Sequence, residues 1–327
     1  MPSLTCITTV YNDGPVLMTA VDSLLGQSFG DVQLLFVDDG SDIETATLLA
    51  DLADPRLKVI RQSNDGLSSA RNTALRHATG DYICFLDADD SRPDWSFAAI
   101  ATQLERDAPD VLFCPGALIT HQGTPMPFFD TPIFDRIAAL LPEGVLDMQD
   151  ARAEQVWPLA QLIEPQSANK VVRRALVDRF GLGFPNGHCF EDILFHSQAL
   201  AAAERISIAA SPCFSYHQHY ARPQITADTG QRRLDIIAVA RLTLESAANT
   251  RWIDRRLYRS AVLTSCLRLA EWCEGSIGHA HKIAFHDTLR GMMQLIDPRY
   301  RDFARAELLG LGVPVMGLDY AARLAHG

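Results

Sequence analysis

Tyr82-Ile83-Cys84-Phe85-Leu86-Asp87-Ala88-Asp89-Asp90 is an unbroken apolar run that ends on three carboxylates. A strand that is apolar on every residue is buried on both faces, as in a parallel sheet covered by helices. The same pattern recurs upstream. Leu4 to Val10 is an apolar, β-branched run ending in the turn Tyr11-Asn12-Asp13-Gly14, and Val32 to Val37 is closed by Asp38-Asp39-Gly40-Ser41. Leu57 to Ile60 reads as a third strand, which makes Tyr82 to Leu86 the fourth. Helical spacing fills the intervals. Leu17, Ala20, Val21, Leu24 and Leu25 share a face, a second helix runs through Ala46, Leu48, Leu49 and Leu52, and a third spans Ser68 to Ala78 before Gly80. Pro93 to Glu105 predicts another helix, and Val111 to Phe113 with Ala117 to Thr120 a further strand segment. Strands alternating with helices define an α/β fold with a mostly parallel sheet. Ligands in such sheets bind beyond the carboxyl ends of the strands, where the acidic clusters fall.

The second half is less regular. Residues 128–165 predict mixed helix and loop, and Ala168 to Phe180 a helix that stops at Gly181-Leu182-Gly183. Glu191 to Ala203 predicts a helix, Arg205 to Tyr216 a returning strand, and the chain beyond Asp228 an almost wholly helical region. The expected division is therefore a catalytic domain over residues 1–227 and a helical C-terminal region over 228–327.

Composition narrows the class. With 47% apolar and 21% charged residues, a chain of 327 residues builds its core without staples. Its seven cysteines are scattered and form no CxxC pair, which predicts neither a zinc site nor a disulfide framework and fits a reducing, cytoplasmic setting. No signal peptide and no membrane span is expected. The net charge of −11 lacks the basic footprint of a nucleic-acid binder.

The three polar clusters can share one site. In an extended segment Asp87 and Asp89 project to the same side, and their hard oxygens suit Mg²⁺ or Mn²⁺, ions that complete their shells with phosphate and water. The bland alternative is a solvated loop. Asp38-Asp39-Gly40-Ser41-Asp42 contains a helix cap, at Ser41 or Asp42, and leaves Asp39 to accept hydrogen bonds from a base or ribose. In Asn64-Asp65-Gly66-Leu67-Ser68-Ser69-Ala70-Arg71-Asn72, Gly66 permits a turn, Ser68 is positioned to cap, and Arg71 can pair with Asp39 or with phosphate. Glu191-Asp192 by itself reads as a helix-start charge pair favoured by the macrodipole.

Together with Thr8-Thr9-Val10-Tyr11-Asn12 and Leu24-Leu25-Gly26-Gln27-Ser28-Phe29, these segments resemble the family 2 glycosyltransferases of GT-A fold over residues 2 to about 225. The similarity extends to Ala168-Asn169-Lys170 and Phe190-Glu191-Asp192, with Tyr216 closing the domain. The tail reads Tyr216-His217-Gln218-His219-Tyr220, a departure from the family's frequent Tyr-x-Tyr-Arg. The resemblance implies a GT-A domain with a C-terminal helical extension, inverting transfer from a nucleotide-diphosphate sugar, and Mn²⁺ or Mg²⁺ as cofactor. UDP-sugars are the first expectation for the donor; the acceptor would be a hydroxyl of a glycan, a lipid-linked sugar or another molecule. It further implies that Thr9, Tyr11, Asp39, Asn64, Arg71, Asp87 and Ala88 hold the nucleotide and that Asp89 ligates the metal. Asp192, with Glu191 beside it, would be the general base.

Other residues read both ways. His188, His217 and His219 could reach ligand or serve as ordinary histidines, and Trp157 could stack on a sugar or fill the core. Arg251, Arg255, Arg256 and Arg259 interleave with Trp252, Ile253, Leu257 and Tyr258. That pattern describes a helix packed on the catalytic domain or one in peripheral contact with the inner face of a membrane. Two other functions stand beside transfer. One is a catalytically silent scaffold that binds nucleotide or glycan. The other is a sugar-phosphate nucleotidylyltransferase, whose glycine-rich start is absent after the first strand.

Overall fold

In chain order the elements are β1 (Leu4–Val10), α1 (Leu17–Leu25), β2 (Val32–Asp38), α2 (Ile43–Ala50), β3 (Leu57–Arg61), α3 (Leu67–His77), β4 (Tyr82–Phe85) and α4 (Ser96–Asp107). Next come β5 (Val111–Phe113), β6 (Gly116–Ile119), β7 (Pro125–Pro127), α5 (Thr131–Leu140), β8 (Val145–Asp147), α6 (Ala153–Leu162), β9 (Lys170–Arg173) and α7 (Arg174–Phe180). The remainder is α8 (Asp192–Ala202), β10 (Arg205–Ile208), β11 (Phe214–His217), α9 (Asp235–Ala248), α10 (Arg256–Ser276), α11 (Lys282–Leu295), α12 (Arg305–Gly310) and α13 (Met316–His326). The structure, a computed structural model, describes residues 3–218, 228–302, 304–313 and 315–326. His219 and the expected domain boundary at residue 227 lie outside the described residues.

Eight strands form the central sheet in the order β3-β2-β1-β4-β9-β5-β10-β8, and β11-β6-β7 form a small second sheet. Six strands of the large sheet share one direction; β9 opposes both its neighbours, and β8 opposes β10. The alternation along each strand divides the core. Cys6, Leu34, Phe36 and Cys84 face α1 and α4. Ile7, Leu35, Phe85 and Phe113 belong to the opposite cluster, which continues without a break into α9, α10 and α13. All seven cysteines are free thiols.

Three expected elements are revised. Residues 168–180 are not one helix: a short turn leads into β9, whose Val171 and Val172 are fully buried between β4 and β5, a place that suits β-branched side chains. Residues 205–216 are two strands in different sheets, separated at Ser211-Pro212 because proline cannot donate to a ladder. Pro115 separates β5 from β6 in the same way. The loosely read stretch 128–165 contains α5, β8 and α6.

The arginine-rich stretch also differs from one continuous helix, since α10 begins only at Arg256. Its arginines turn onto the protein. Arg255 pairs with Glu154, Arg256 with Asp302 (2.9 Å) and Glu307, and buried Arg259 with Asp302 (2.5 Å). This is the packed alternative. Among the described residues no helix is long and apolar enough to cross a membrane.

Trp157 is a core residue. It is fully buried in α6, donates its indole N–H to Leu200 O (3.1 Å) and stacks on Trp252 at 5.3 Å between ring centroids. Because this stack joins α6 to the segment before α10, Trp157→Ala is predicted to lower stability by about 3–5 kcal/mol. In urea unfolding followed by circular dichroism, sheet and C-terminal helices should still be lost in one transition. A second, unshifted transition would show that they fold separately.

Candidate active site

Tight turns set the polar residues at the carboxyl ends of β1, β2 and β4. After β1, Asn12 takes a left-handed backbone (φ 54°) and donates its N–H to Ser41 Oγ (3.1 Å). Its Oδ1 accepts from the N–H of Asp42 (2.7 Å), and Asp42 caps α2 by accepting from Thr45 N–H (2.9 Å). These bonds lock the first two loops together. Tyr11 stands 48% exposed at the rim and Thr9 is half-buried beneath it.

Asp39 organises the third loop. Its Oδ1 accepts from Gln62 Nε2 (2.8 Å) and Asp65 N–H (3.0 Å). Its Oδ2 accepts from Asn64 Nδ2 (3.1 Å) and Gly66 N–H (2.8 Å). Gly40 makes this approach possible: it has φ 77°, and a Cβ there would lie 2.7 Å from the Asn64 nitrogen. Gly66, at φ 88°, takes the N-cap expected of Ser68, whose hydroxyl is buried in the first turn of α3 with no hydrogen-bond partner among the described residues.

Arg71 does not reach Asp39. Its buried guanidinium donates through Nη1 to Glu191 Oε1 (2.5 Å) and Asp192 Oδ1 (2.6 Å), and through Nη2 to Asp87 Oδ1 (2.9 Å). The ring of Phe184 lies 5.2 Å from it. One cation therefore joins the loop after β4 to the start of α8. Burial would lower Arg71, yet Asp192, Glu191 and Asp87 hold it above the ordinary arginine value. Burial, and then Asp192, pushes Glu191 up to about 7 against the pull of Arg71.

The loop after β4 is pinned from below. Arg92, buried, donates to the carbonyls of Phe85 (3.0 Å), Ala168 (2.9 Å) and Cys213 (2.9 Å). Asp90, 1% exposed, accepts from His217 N–H (2.9 Å), and His217 Nε2 meets Ser91 Oγ at 2.8 Å. Burial, with Asp87 and Asp89 nearby, pushes Asp90 well above the usual carboxylate range. Ala88 is buried, whereas Asp87 and Asp89 stay partly exposed and close enough for their charges to repel. Among the described residues no three His, Cys, Asp or Glu side chains converge as a metal cage. A Mg²⁺ or Mn²⁺ ion held by one or two carboxylates and substrate phosphates needs no such cage, and the hard oxygens of Asp87 and Asp89 fit it.

Three contributors had no assigned role in the sequence. Gln62 bridges Asp39 to α3 by accepting from Thr73 Oγ1 (2.6 Å). Phe184 supports Arg71, and Ser167 Oγ makes a short hydrogen bond to Asp192 Oδ1. Only Ser167, in Ser167-Ala168-Asn169-Lys170, lies beside a recognised motif. The C-terminal helices reach the site as well. Asp235 accepts from Cys189 N–H (3.0 Å) and lies 3.8 Å from His188 Nδ1, and Trp272 meets Phe190 edge-on at 6.3 Å. Phe190 is left-handed (φ 66°), a conformation a bulky residue adopts only under surrounding constraint.

Residues 5–144 match the model of Glycosyl transferase family 2. EpsJ of Bacillus subtilis (strain 168), an uncharacterized glycosyltransferase, is 29% identical over 224 residues, covering 67% of this chain and 62% of EpsJ. This chain thus aligns with somewhat less than two thirds of that relative's length. Among solved structures, S. aureus TarS 1-349 in complex with UDP-GlcNAc superposes with a TM-score of 0.74 at 19% identity, covering 94% of this chain and 85% of that one. A mannosyltransferase, PcManGT from Pyrobaculum calidifontis, in complex with GDP-Man and Mn²⁺, gives 0.53 at 16% identity over 99% and 87%. The fold is GT-A, and the match to the family 2 glycosyltransferases covers residues 5–144 of the chain.

The elevated Glu191 makes a pH prediction. Its folded value of about 7 exceeds the ordinary 4.5, so its contribution to stability is complete below the lower value and is lost as pH rises through the upper one. Glu191→Gln mimics the protonated form. Its melting temperature relative to wild type should climb by a few degrees between about pH 5 and about pH 8. A flat or falling difference would mean that Arg71, rather than burial, governs Glu191.

Proposed function

We propose that this protein is an inverting glycosyltransferase, moving a sugar from a nucleoside-diphosphate donor, with UDP-sugars foremost, to an acceptor hydroxyl. The observation that carries the reading is the contact of Arg71 with Asp87 on one side and Glu191 and Asp192 on the other. On this reading the carboxylates that would serve the donor and the base share a single buried cation. The family 2 match over residues 5–144 supports the reaction class, and the fold shared with TarS bound to UDP-GlcNAc supports the donor class.

The chain's own groups divide the work. Tyr11, Thr9 and the loop anchored on Asp39 would receive the nucleoside, with Asn64 acting through its bond to Asp39. Asp192 would be the base. Arg71 and Ser167 both donate to its Oδ1, and among the described residues no donor takes Oδ2, which leaves that oxygen for the proton of the attacking hydroxyl. A base in this position typically contributes about 10²- to 10⁴-fold. A single base opposite the leaving group gives direct displacement and inversion. Mn²⁺ or Mg²⁺, held by Asp89 with Asp87 beside it, would supply Lewis-acid stabilisation for the departing nucleoside diphosphate.

In a thermal-shift panel of UDP, GDP, dTDP and CDP with and without Mn²⁺, one nucleotide should stabilise the protein only when metal is present. At about 100 times its Kd the gain should be about 2.7 kcal/mol. Asp89→Ala should abolish that shift and leave the unliganded melting temperature unchanged. An unaltered metal-dependent shift would remove Asp89 as the ligand, and no shift with any nucleotide in the wild type would turn the reading toward a silent scaffold.

Asp192→Asn should bind the stabilising nucleotide as the wild type does and yet lose at least about 10²-fold in turnover, followed as nucleoside diphosphate released from the matching sugar donor. Normal turnover would remove it as the base.

A further inference from the structure

Lys170 is 1% exposed and lies on β9, within a motif for which neither fold nor reaction requires an ammonium. Its Nζ donates to the carbonyl of Pro165 (3.2 Å) and, at very short range, to that of Gln166. Those carbonyls belong to the turn that immediately precedes Ser167, and Ser167, 3% exposed, donates to Asp192 Oδ1. The turn is tied from its other side too. Asn169 Nδ2 donates to Glu164 O (2.6 Å), and Arg268 of α10 pairs with Glu164 Oε1 (2.5 Å).

We propose that Lys170 is a positioning residue for sugar transfer: it holds the 165–167 turn so that Ser167 keeps Asp192 Oδ1 engaged and Oδ2 aimed at the acceptor hydroxyl. This rests on Asp192 being the base. A buried lysine with no carboxylate in contact among the described residues is costly to keep, and a methionine would fill the same space without that cost. What the amine adds is two directed bonds to backbone oxygens. Burial pushes Lys170 down to about 7, and then Arg71 opposes its charge while Asp192 and Asp130 favour it. An amine retains the N–H groups needed for both bonds on either side of that value. His196, buried on α8 one turn beyond Asp192 and beside the backbone of Ala160 and Gln161, lies near enough for Lys170 to disfavour its charge.

Misplacing a reacting group by about 1 Å costs on the order of 10²-fold. Lys170→Met and Ser167→Ala should therefore each lower kcat by about 10- to 100-fold and leave the donor KM within about twofold. The assay is nucleoside diphosphate release from UDP-, GDP-, dTDP- and CDP-sugars, followed with the donor that wild type uses fastest. If Lys170 acts through Ser167, the double variant should be no slower than the worse single one. Multiplying losses, or a loss confined to KM, would overturn the inference. Should Lys170→Met fail to fold, full kcat in Ser167→Ala would overturn it alone. The two readings separate cleanly: normal release by Asp192→Asn, or no release by wild type from any donor, removes the base assignment and this inference with it. Loss in Asp192→Asn with normal kcat in Lys170→Met removes only this one.

Discussion

The site depends on a guanidinium that cannot be solvated. Arg71 is buried on α3, and its partners come from two places far apart in sequence: Asp87 after β4, and Glu191 and Asp192 at the head of α8. Removing a cation from water is tolerable only when its donors are satisfied. Here burial, and then Asp192, raises Glu191, and the surplus of carboxylates over cations leaves negative charge in the cleft. Such a centre adds little net stability. It specifies an arrangement, because slipping any of the three segments would strand a buried charge.

The N-terminal half was legible because its signals are local and repeated. Apolar runs of strand length end on turn residues, and each turn carries polar groups that the topology collects at one edge. The geometry of the middle of the chain was not legible in that way. Lys170-Val171-Val172-Arg173 is too short to show a period, and it becomes a strand because β4 and β5 leave a place between them. Ser167 was invisible for a related reason: a serine in a turn has many local uses, and only the tertiary fold brings it to Asp192. Arg71 was recognised by its motif, whereas its partners were settled by the path of α8. The position of Gly66 at the helix cap shows the same limit, since glycine and serine both serve there.

The C-terminal helices lie beyond the span matched by the family model, yet they pack against the segments that carry the candidate site. They complete the apolar cluster beneath one face of the sheet. They also hold the chain where it turns into α8, through Asp235 on the backbone of Cys189 and Trp272 against Phe190. The left-handed step at Phe190 is the kind of local strain that persists because surrounding contacts over-determine it. Arg268 extends the same support to the turn that carries Ser167.

The placement of β9 has a consequence for how the chain is made. Residues 170–173 lie between strands built from residues 82–85 and 111–113, so a nascent chain presents β4 and β5 with open edges until residue 173 has left the ribosome. Open strand edges invite pairing with other chains, and contacts that span long stretches of sequence form slowly. The interval between synthesis of β5 and arrival of β9 is therefore the period in which this protein is most exposed to misassembly. A fragment ending near residue 144 would remain in that interval permanently.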